Sequence, residues 1–326
     1  MTKPKVFITR NIFPEAIEEI KKVAEVDLWT DDMPPSREIL LERSKGVDGI
    51  LCLLTDGIDG EFMDIAGPQL KVISQIAVGY NNIDIEQASK RGIPVGYTPD
   101  VLTHATADFA FTLLMSAARL VIPGHIASHD GSWKTWHPLH FLGQDIYGAT
   151  KGIVGMGRIG FDMAKRSTGL DMEILYYDVN RREDLEQKLK MKHVGLDELL
   201  DQSDFVSIHV DLNPSTKHMF SSDQFRKMKN SSVIINAARG PVIDHMALYS
   251  ALKDKEIAAA GLDVTDPEPI PNDHPLLTLD NCLIVPHIAS ATVETRRAMS
   301  NLAATNLING LTGVSLSTCV NPEVDN

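Results

Sequence analysis

Gly152-Ile-Val-Gly155-Met-Gly157-Arg-Ile-Gly160 is the stretch on which the fold turns. A short apolar run leads into glycines spaced G-x-G-x-x-G, and an amphipathic stretch follows, so the segment reads as strand, tight turn and helix. Gly155 permits the turn, Gly157 lets the backbone approach a pyrophosphate, and Gly160 lets the helix pack close to its strand. The helix N-terminus then faces the phosphates with its unpaired amides. Alone, such a run is a weak signal. A second apolar run, Glu173–Tyr177, strengthens it by ending in Asp178, about 20 residues past Gly160, where a carboxylate can accept hydrogen bonds from the adenosine ribose. That charge repels a 2′-phosphate, so the site reads as a dinucleotide site preferring NAD. Arg181 and Arg182, just beyond, could still accommodate NADP. The plainer reading of Asp178 is a turn residue at a strand end.

Outward from this motif, apolar runs alternate with helical patterns along the whole chain, the mark of parallel α/β architecture. One set comprises Val6–Thr9, Val26–Trp29, Gly49–Leu54, Leu70–Ile76 and Ile93–Tyr97. A second comprises Gly152–Gly155, Ile174–Asp178, Phe205–Val210, Val233–Ala237, Ala259–Val264 and Leu283–Pro286. Two doubly wound parallel sheets are the economical interpretation. Between them Thr103–Leu120 is apolar nearly all round, which predicts a helix buried on all sides. The following HDGSWKTWHPLHFLG reads as an extended arm, and helix plus arm suggest packing against a second subunit. A helical pattern over Thr292–Leu311 should cross back to the first sheet, making that domain discontinuous. The expected division is 1–101 with 288–326, and 102–287 carrying the dimerisation helix and arm at 103–147. Lys151, just before the glycine run, is expected to reach solvent at the sheet's bottom edge.

The chain has 326 residues, 43% apolar and 23% charged, ample for two cores. Lys and Arg number 31 against 44 Asp and Glu, a net charge of −13, which argues against nucleic acid or an anionic membrane as partner. A small anion would need a focused site instead. Cys52, Cys282 and Cys319 are scattered and form no metal-ligand or disulfide pattern, which suits a reducing compartment. The strand-like Val6–Thr9 leaves no room for a signal peptide, and the most apolar stretch is too short to span a bilayer, so a cytoplasmic location is expected. His125, His129, His137 and His140 fit an interface arm better than a metal site.

If the dinucleotide serves hydride transfer to a keto acid, a cation must hold the carboxylate and polarise the keto group. An acid must protonate the nascent alkoxide, and a partner must keep that acid charged. Arg239 in INAARGP, His287 in LIVPHIAS, and Glu268 in GLDVTDPEP each follow a strand of the second set. The carboxyl ends of such strands share one edge, so residues distant in sequence can converge there. Each residue singly has an ordinary structural explanation, and Asp266 rivals Glu268; spacing does not choose between them.

These motifs resemble the D-isomer-specific 2-hydroxyacid dehydrogenases, most closely the glyoxylate/hydroxypyruvate reductases. The resemblance covers nearly the whole chain and is strongest in VGYNNID (78–84), RGIPVGYTPDVLT (91–103), GIVGMGRIG (152–160), HVDLNPSTKHM (209–219), INAARG (235–240), AAAGLDVTDPEP (258–269) and HPLLTLDNCLIVPHIASAT (274–292). It implies a catalytic Arg239 and a Glu268–His287 acid/base pair, and it selects Glu268 over Asp266. It implies cofactor contacts at Gly155, Gly157, Arg158, Ile159, Gly160, Asp178, His209, Val210, Thr216, Ala237 and Ala238, with Asp263 meeting the nicotinamide carboxamide. Val78 and Gly79 would bind the substrate carboxylate, with Leu54 nearby. A homodimer is implied, with Trp136 reaching the neighbour's active site. The activity implied is reduction of a small 2-keto acid, glyoxylate or hydroxypyruvate, with NAD and without metal. Ala289 stands where the family carries glycine, which leaves the fit beside the nicotinamide open. Other readings are a D-lactate, 2-ketogluconate or short-form phosphoglycerate type, and a non-catalytic NAD-sensing module.

Overall fold

The computed structural model describes residues 3–325. Two compact units divide the chain: one runs to Leu102 and resumes at Ala291, and the other is Thr103–Ser290. Each is built on its own parallel sheet.

The first unit contains β1 (Lys5–Ile8), β2 (Glu25–Leu28), β3 (Gly49–Cys52), β4 (Val72–Gln75) and β5 (Val95–Gly96), in the order β2-β1-β3-β4-β5. Strands β3 and β4 are buried at every position, as strands covered on both faces must be. The C-terminal helix Val293–Thr312 belongs to this unit. Thr292 caps it by accepting a hydrogen bond from the Thr295 amide, at 3.1 Å. Ser74 Oγ on β4 donates to the Ala303 carbonyl at 2.8 Å, and Asn306 Nδ2 donates to the Tyr97 carbonyl at 3.1 Å. These buried bonds stitch the returning helix to the sheet.

The second unit contains β6 (Thr150–Val154), β7 (Glu173–Tyr177), β8 (Lys192–His193), β9 (Phe205–Ile208), β10 (Val233–Asn236), β11 (Ala259–Leu262) and β12 (Cys282–Ile284). Their order is β12-β11-β10-β9-β6-β7-β8, all parallel. The chain winds outward from β6 through β7 to β8, then returns to place β9 on the other side of β6. That reversal makes the carboxyl end of β6 a topological switch point, the place where such sheets bind ligands. The two-residue edge strand β8 is exposed and carries no apolar run, so the sequence offered no signal for it.

Helix Thr103–Ala118 packs on β10, β11 and the helix Arg158–Thr168. It is not buried on all sides within the chain: His104, Asp108, Thr112 and Met115 form an exposed stripe. Part of that stripe is polar and ion-paired. His104 Nδ1 lies 2.5 Å from Asp162, and Arg166 bonds both Asp108 (2.6 Å) and Asp162 (2.7 Å). After Leu120, in the left-handed region at φ 52°, a second helix, Val121–His129, sets off at 63° to the first. The arm follows, with Trp136 78% exposed. No single helix among the described residues is long and apolar enough to cross a membrane.

Lys151 does not reach solvent. It is 0% exposed, and its Nζ has no hydrogen-bond partner among the described residues. The register explains the difference: Lys151 lies one residue inside β6, paired with Ile174 on one side and Phe205 on the other, so both neighbouring strands flank it. Burial pushes its ammonium pKa well below the ordinary lysine value of 10.5. Replacing this group should stabilise the fold. Lys151→Met is expected to melt at least about 2 °C higher than wild type near neutral pH. The gap should shrink as pH rises, because the unfolded chain keeps the lysine proton up to its ordinary value while the folded one releases it earlier. The wild type therefore gains stability across that window. Thermal melts at neutral and alkaline pH check this; a variant that melts lower than wild type refutes it.

Candidate active site

The sheet of the second unit delivers every expected polar group of that unit to one edge. Gly155 follows β6 with φ 95°, and a Cβ there would lie 2.7 Å from the His209 carbonyl group. A Cβ on Gly160 would collide with the Gly155 carbonyl oxygen, so helix and strand touch backbone to backbone. At Gly157 the same construction meets nothing within 4 Å, which leaves open space above the turn. Gly157 is also the N-cap of helix Arg158–Thr168, and no side chain caps its first amides. An open cradle at an uncapped helix start fits a pyrophosphate.

Asp178 closes the far side of this turn. Its Oδ2 accepts from the Met156 amide at 2.7 Å and its Oδ1 from the Asn180 amide at 2.8 Å. The carboxylate therefore holds the glycine turn as well as standing at the expected ribose position. His209 directs its ring inward: Nε2 lies 2.8 Å from Ser207 Oγ, and Nδ1 is buried with no partner among the described residues. Burial and the Lys151 charge push its pKa down to about 3, so the ring is neutral. It can line a cofactor site through its backbone rather than as a charged group. Thr216 Oγ1 donates to the Asp211 carbonyl at 2.6 Å and shapes the turn after the half-buried Val210.

Arg239 follows β10 in a turn held by Asn236, whose Nδ2 donates to the Arg239 carbonyl at 2.9 Å and whose Oδ1 accepts from the Ala238 amide at 3.0 Å. Ala237 and Ala238 are the small residues of that turn. Burial lowers the guanidinium pKa and the charges of Glu268 and Asp211 oppose that; arginine remains protonated. Glu268 Oε1 lies 2.5 Å from His287 Nδ1. Burial resists ionisation of Glu268, but its bond to His287 and the Arg239 charge outweigh that and hold its carboxyl below the usual range. Asp266, the rival in sequence, instead contacts His245 through its backbone, at 3.2–3.3 Å. Glu268 is therefore the partner that reaches His287.

His287 sits in the left-handed region at φ 51°, which a non-glycine residue keeps only when its surroundings enforce it. Asp263 supplies the enforcement. Its carbonyl accepts from the His287 amide at 2.9 Å, and its carboxylate accepts from the amides of Ile288 (2.7 Å) and Ala289 (2.9 Å). Asp263 is 1% exposed, and both its carboxylate oxygens are already engaged. Any nicotinamide contact would be left to their remaining lone pairs. This clamp was absent from the sequence reading, although an aspartate closing an apolar strand before the PHI turn was the available signal.

Leu54, Val78 and Gly79 belong to the first unit. Asn82 Nδ2 donates to the carbonyls of Leu53 (3.1 Å) and Asp56 (2.9 Å) and to Gln75 Oε1 (2.7 Å), while Gln75 Nε2 donates to the Gly79 carbonyl at 2.6 Å. The turn carrying Leu54 and the turn carrying Val78 and Gly79 are thus tied together. Trp136 lies in the arm of the second unit and is largely exposed. Among the described residues no group of three or more His, Cys, Asp or Glu side chains could hold a metal.

Residues 111–289 match the NAD-binding domain of the D-isomer specific 2-hydroxyacid dehydrogenases. A glyoxylate reductase of Korarchaeum cryptofilum is 50% identical across 99% of this chain and 97% of its own. The chain belongs to this family. Among solved structures, a Thermus thermophilus protein superposes with TM-score 0.92 at 39% identity, covering 97% of this chain and 99% of its own. An NADPH-dependent glyoxylate/hydroxypyruvate reductase of Sinorhizobium meliloti, solved with NADP and malonate, gives 0.85 at 30% identity over 98% and 97%.

As a D-2-hydroxyacid dehydrogenase the chain is an oxidoreductase with a nucleotide-binding sheet, and the geometry assigns Asp263 the task of fixing the His287 turn. Asp263→Asn should break that clamp, since an amide nitrogen cannot accept from a backbone N–H. Turnover should fall by about tenfold or more, since small displacements within an active site cost large factors in rate, and the melting temperature should drop. Steady-state rates and thermal melts of purified protein check this; full turnover in the variant refutes the clamp.

Proposed function

We propose that this enzyme reduces a small 2-keto acid, glyoxylate or hydroxypyruvate, to its D-2-hydroxy acid with NADH. The observation carrying this reading is the Glu268–His287 contact of 2.5 Å in the electrostatic neighbourhood of Arg239. Arg239 holds the substrate carboxylate with its guanidinium fork and draws electron density from the keto oxygen. Glu268 accepts from His287 Nδ1, which leaves Nε2 to donate a proton to the oxygen as it gains charge. A bound nicotinamide would supply the hydride. In its own unit, the Val78–Gly79 turn offers amide donors to a carboxylate. The substrate follows the relatives named glyoxylate reductase. The NADH preference follows from Asp178, although the Sinorhizobium relative is NADPH-dependent.

The same proposal includes a homodimer in a reducing cytoplasm. Cys52, Cys282 and Cys319 are all free. Val121, Ile122, Ile126, Trp136, Leu139 and Leu142 are exposed along the second helix and arm, and clustered exposed apolar residues of this kind mark interaction surfaces. A groove of about 530 Å³ runs between that helix and the edge strand β12. We assign both to a second copy of the chain, whose Trp136 would enter the neighbouring site.

Two measurements test these readings. NADH absorbance decay with glyoxylate, hydroxypyruvate and pyruvate should show fast turnover with one of the first two, and His287→Ala should lose most of it while NADH affinity stays nearly unchanged. Near-normal turnover in His287→Ala removes it from the acid role, and NADH binding without turnover of any keto acid favours a sensing module. Light scattering should give a dimer mass, and Trp136→Ala should raise KM for the keto acid with that mass unchanged. A monomer at all concentrations refutes the dimer.

A further inference from the structure

Asp178 is not the only acidic group at the expected ribose position. Immediately beyond it Arg181-Arg182-Glu183-Asp184-Leu185-Glu186 places two guanidinium groups among carboxylates. Arg181 Nε and Nη2 donate to Glu186 Oε1 and Oε2, each at 2.9 Å, and its Nη1 lies 3.5 Å from Glu183. Arg182 Nε and Nη2 donate to Asp184 Oδ1 at 3.0 Å and Oδ2 at 2.9 Å. The remaining Arg182 nitrogen, Nη1, reaches the Met156 carbonyl in the glycine turn at 3.3 Å. Arg182 therefore stands beside the cofactor cradle, yet its fork is closed.

We propose that Asp184 and Glu186 form a cofactor-selectivity latch, holding Arg182 and Arg181 in closed forks so that neither meets a 2′-phosphate. The proposal rests on the reading of Asp178 as the ribose partner and names the residues that enforce its preference.

Exposed ion pairs are ordinarily weak and would yield to a phosphate. Glu186 differs because it is fixed from behind. The Tyr176 hydroxyl donates to Glu186 Oε1 at 2.7 Å, and Tyr176 itself is fully buried in β7. That hydroxyl also accepts from the Arg182 amide at 2.8 Å, which ties the start of the segment to the same point. The Glu186 side chain is 15% exposed against 55% for Arg181, so the carboxylate is the anchored member of the pair. Its two bonds hold its pKa down to about 2, and it remains charged throughout any assay range. Bidentate forks of this kind are among the stronger ion pairs. A phosphate arriving here meets two cations already facing Asp178, Glu183, Asp184 and Glu186. Neutralising Asp184 and Glu186 balances the local charge and opens both forks, with no change to the glycine turn.

Calorimetric binding of adenosine 2′,5′-bisphosphate and of AMP, which lacks only the 2′-phosphate, tests this without turnover. Asp184→Asn/Glu186→Gln should tighten the bisphosphate by about tenfold or more and leave AMP nearly unchanged. The NADPH to NADH ratio of kcat/KM should rise in parallel, and Asp178→Ser in the same background should raise it further. Asp184→Asn alone, at an exposed position, should show part of the effect should Glu186→Gln fold poorly. An unchanged bisphosphate affinity, or equal tightening of AMP, overturns the latch while a normal response to Asp178→Ser leaves the ribose reading intact. An Asp178→Ser variant that moves neither ligand sinks the ribose reading and the latch together.

Discussion

In an all-parallel sheet every strand runs the same way, so every strand ends on the same edge. The other working parts of the second unit depend on that constraint. The glycine turn, Asp178, His209, Arg239, Asp263 and His287 each stand within a few residues of a strand's carboxyl end. Residues far apart in sequence reach a common site without any long excursion of the chain. The reversal of strand order beside β6 then opens the cradle at that edge. The price is that each turn leaving the edge must be fixed separately, because strand pairing stops where the chemistry starts. Asn236 fixes the Arg239 turn, Asp263 fixes the His287 turn, and Asp178 fixes the glycine turn. In each case a side chain at a strand end takes backbone amides that the sheet can no longer satisfy.

Buried charge is handled in two opposite ways. Around His287 the ionisable groups compensate one another: Glu268 stays ionised because His287 and Arg239 face it, and Arg239 keeps its charge among acidic neighbours. Asp263, more deeply buried, has its carboxyl pKa raised by desolvation and is steadied by two amide donors. In the sheet interior, by contrast, Lys151 Nζ has no hydrogen-bond partner among the described residues, and burial pushes its pKa well below the ordinary lysine value. Burial, and then the Lys151 charge, hold the pKa of the neighbouring His209 down to about 3, so that ring is neutral. The ionisable groups of this unit thus divide into a mutually compensated set around His287 and a pair inside the sheet, Lys151 and His209, whose pKa values burial lowers.

Features set by local chemistry were legible in the sequence. The glycine spacing announced both the turn and its helix, because only glycine tolerates a φ of 95° and so close a backbone contact. Period and length located the strands of both sheets except β8, and the C-terminal helix was placed within a residue. What escaped depends on register or on contacts between distant segments. Lys151 looked like an edge residue until its pairing with Phe205 and Ile174 was known. The apolar run from Thr103 hid a polar stripe satisfied by Asp162 and Arg166, and the second helix beyond Leu120, with Pro123 and Gly124 near its start, was not expected. The Asp263 clamp and the Asn82–Gln75 bridge are likewise side chains reaching backbone elsewhere, which periodicity does not register.

A chain with net charge −13 that binds an anionic dinucleotide and an anionic substrate cannot rely on its overall field. It has to concentrate donors at points, and on the function proposed these are the uncapped helix start at Gly157 and the half-buried Arg239. Local donors of this kind act at hydrogen-bond distance, where geometry outweighs a diffuse repulsion screened within about 10 Å. The acidic surroundings then become useful for discrimination. Each ligand charge that meets a dedicated donor is accepted, and an additional charge meets carboxylates whose arginines are already occupied. On the selectivity proposed above, that additional charge at the end of β7 is a 2′-phosphate, and the acidic composition sharpens which anion is bound.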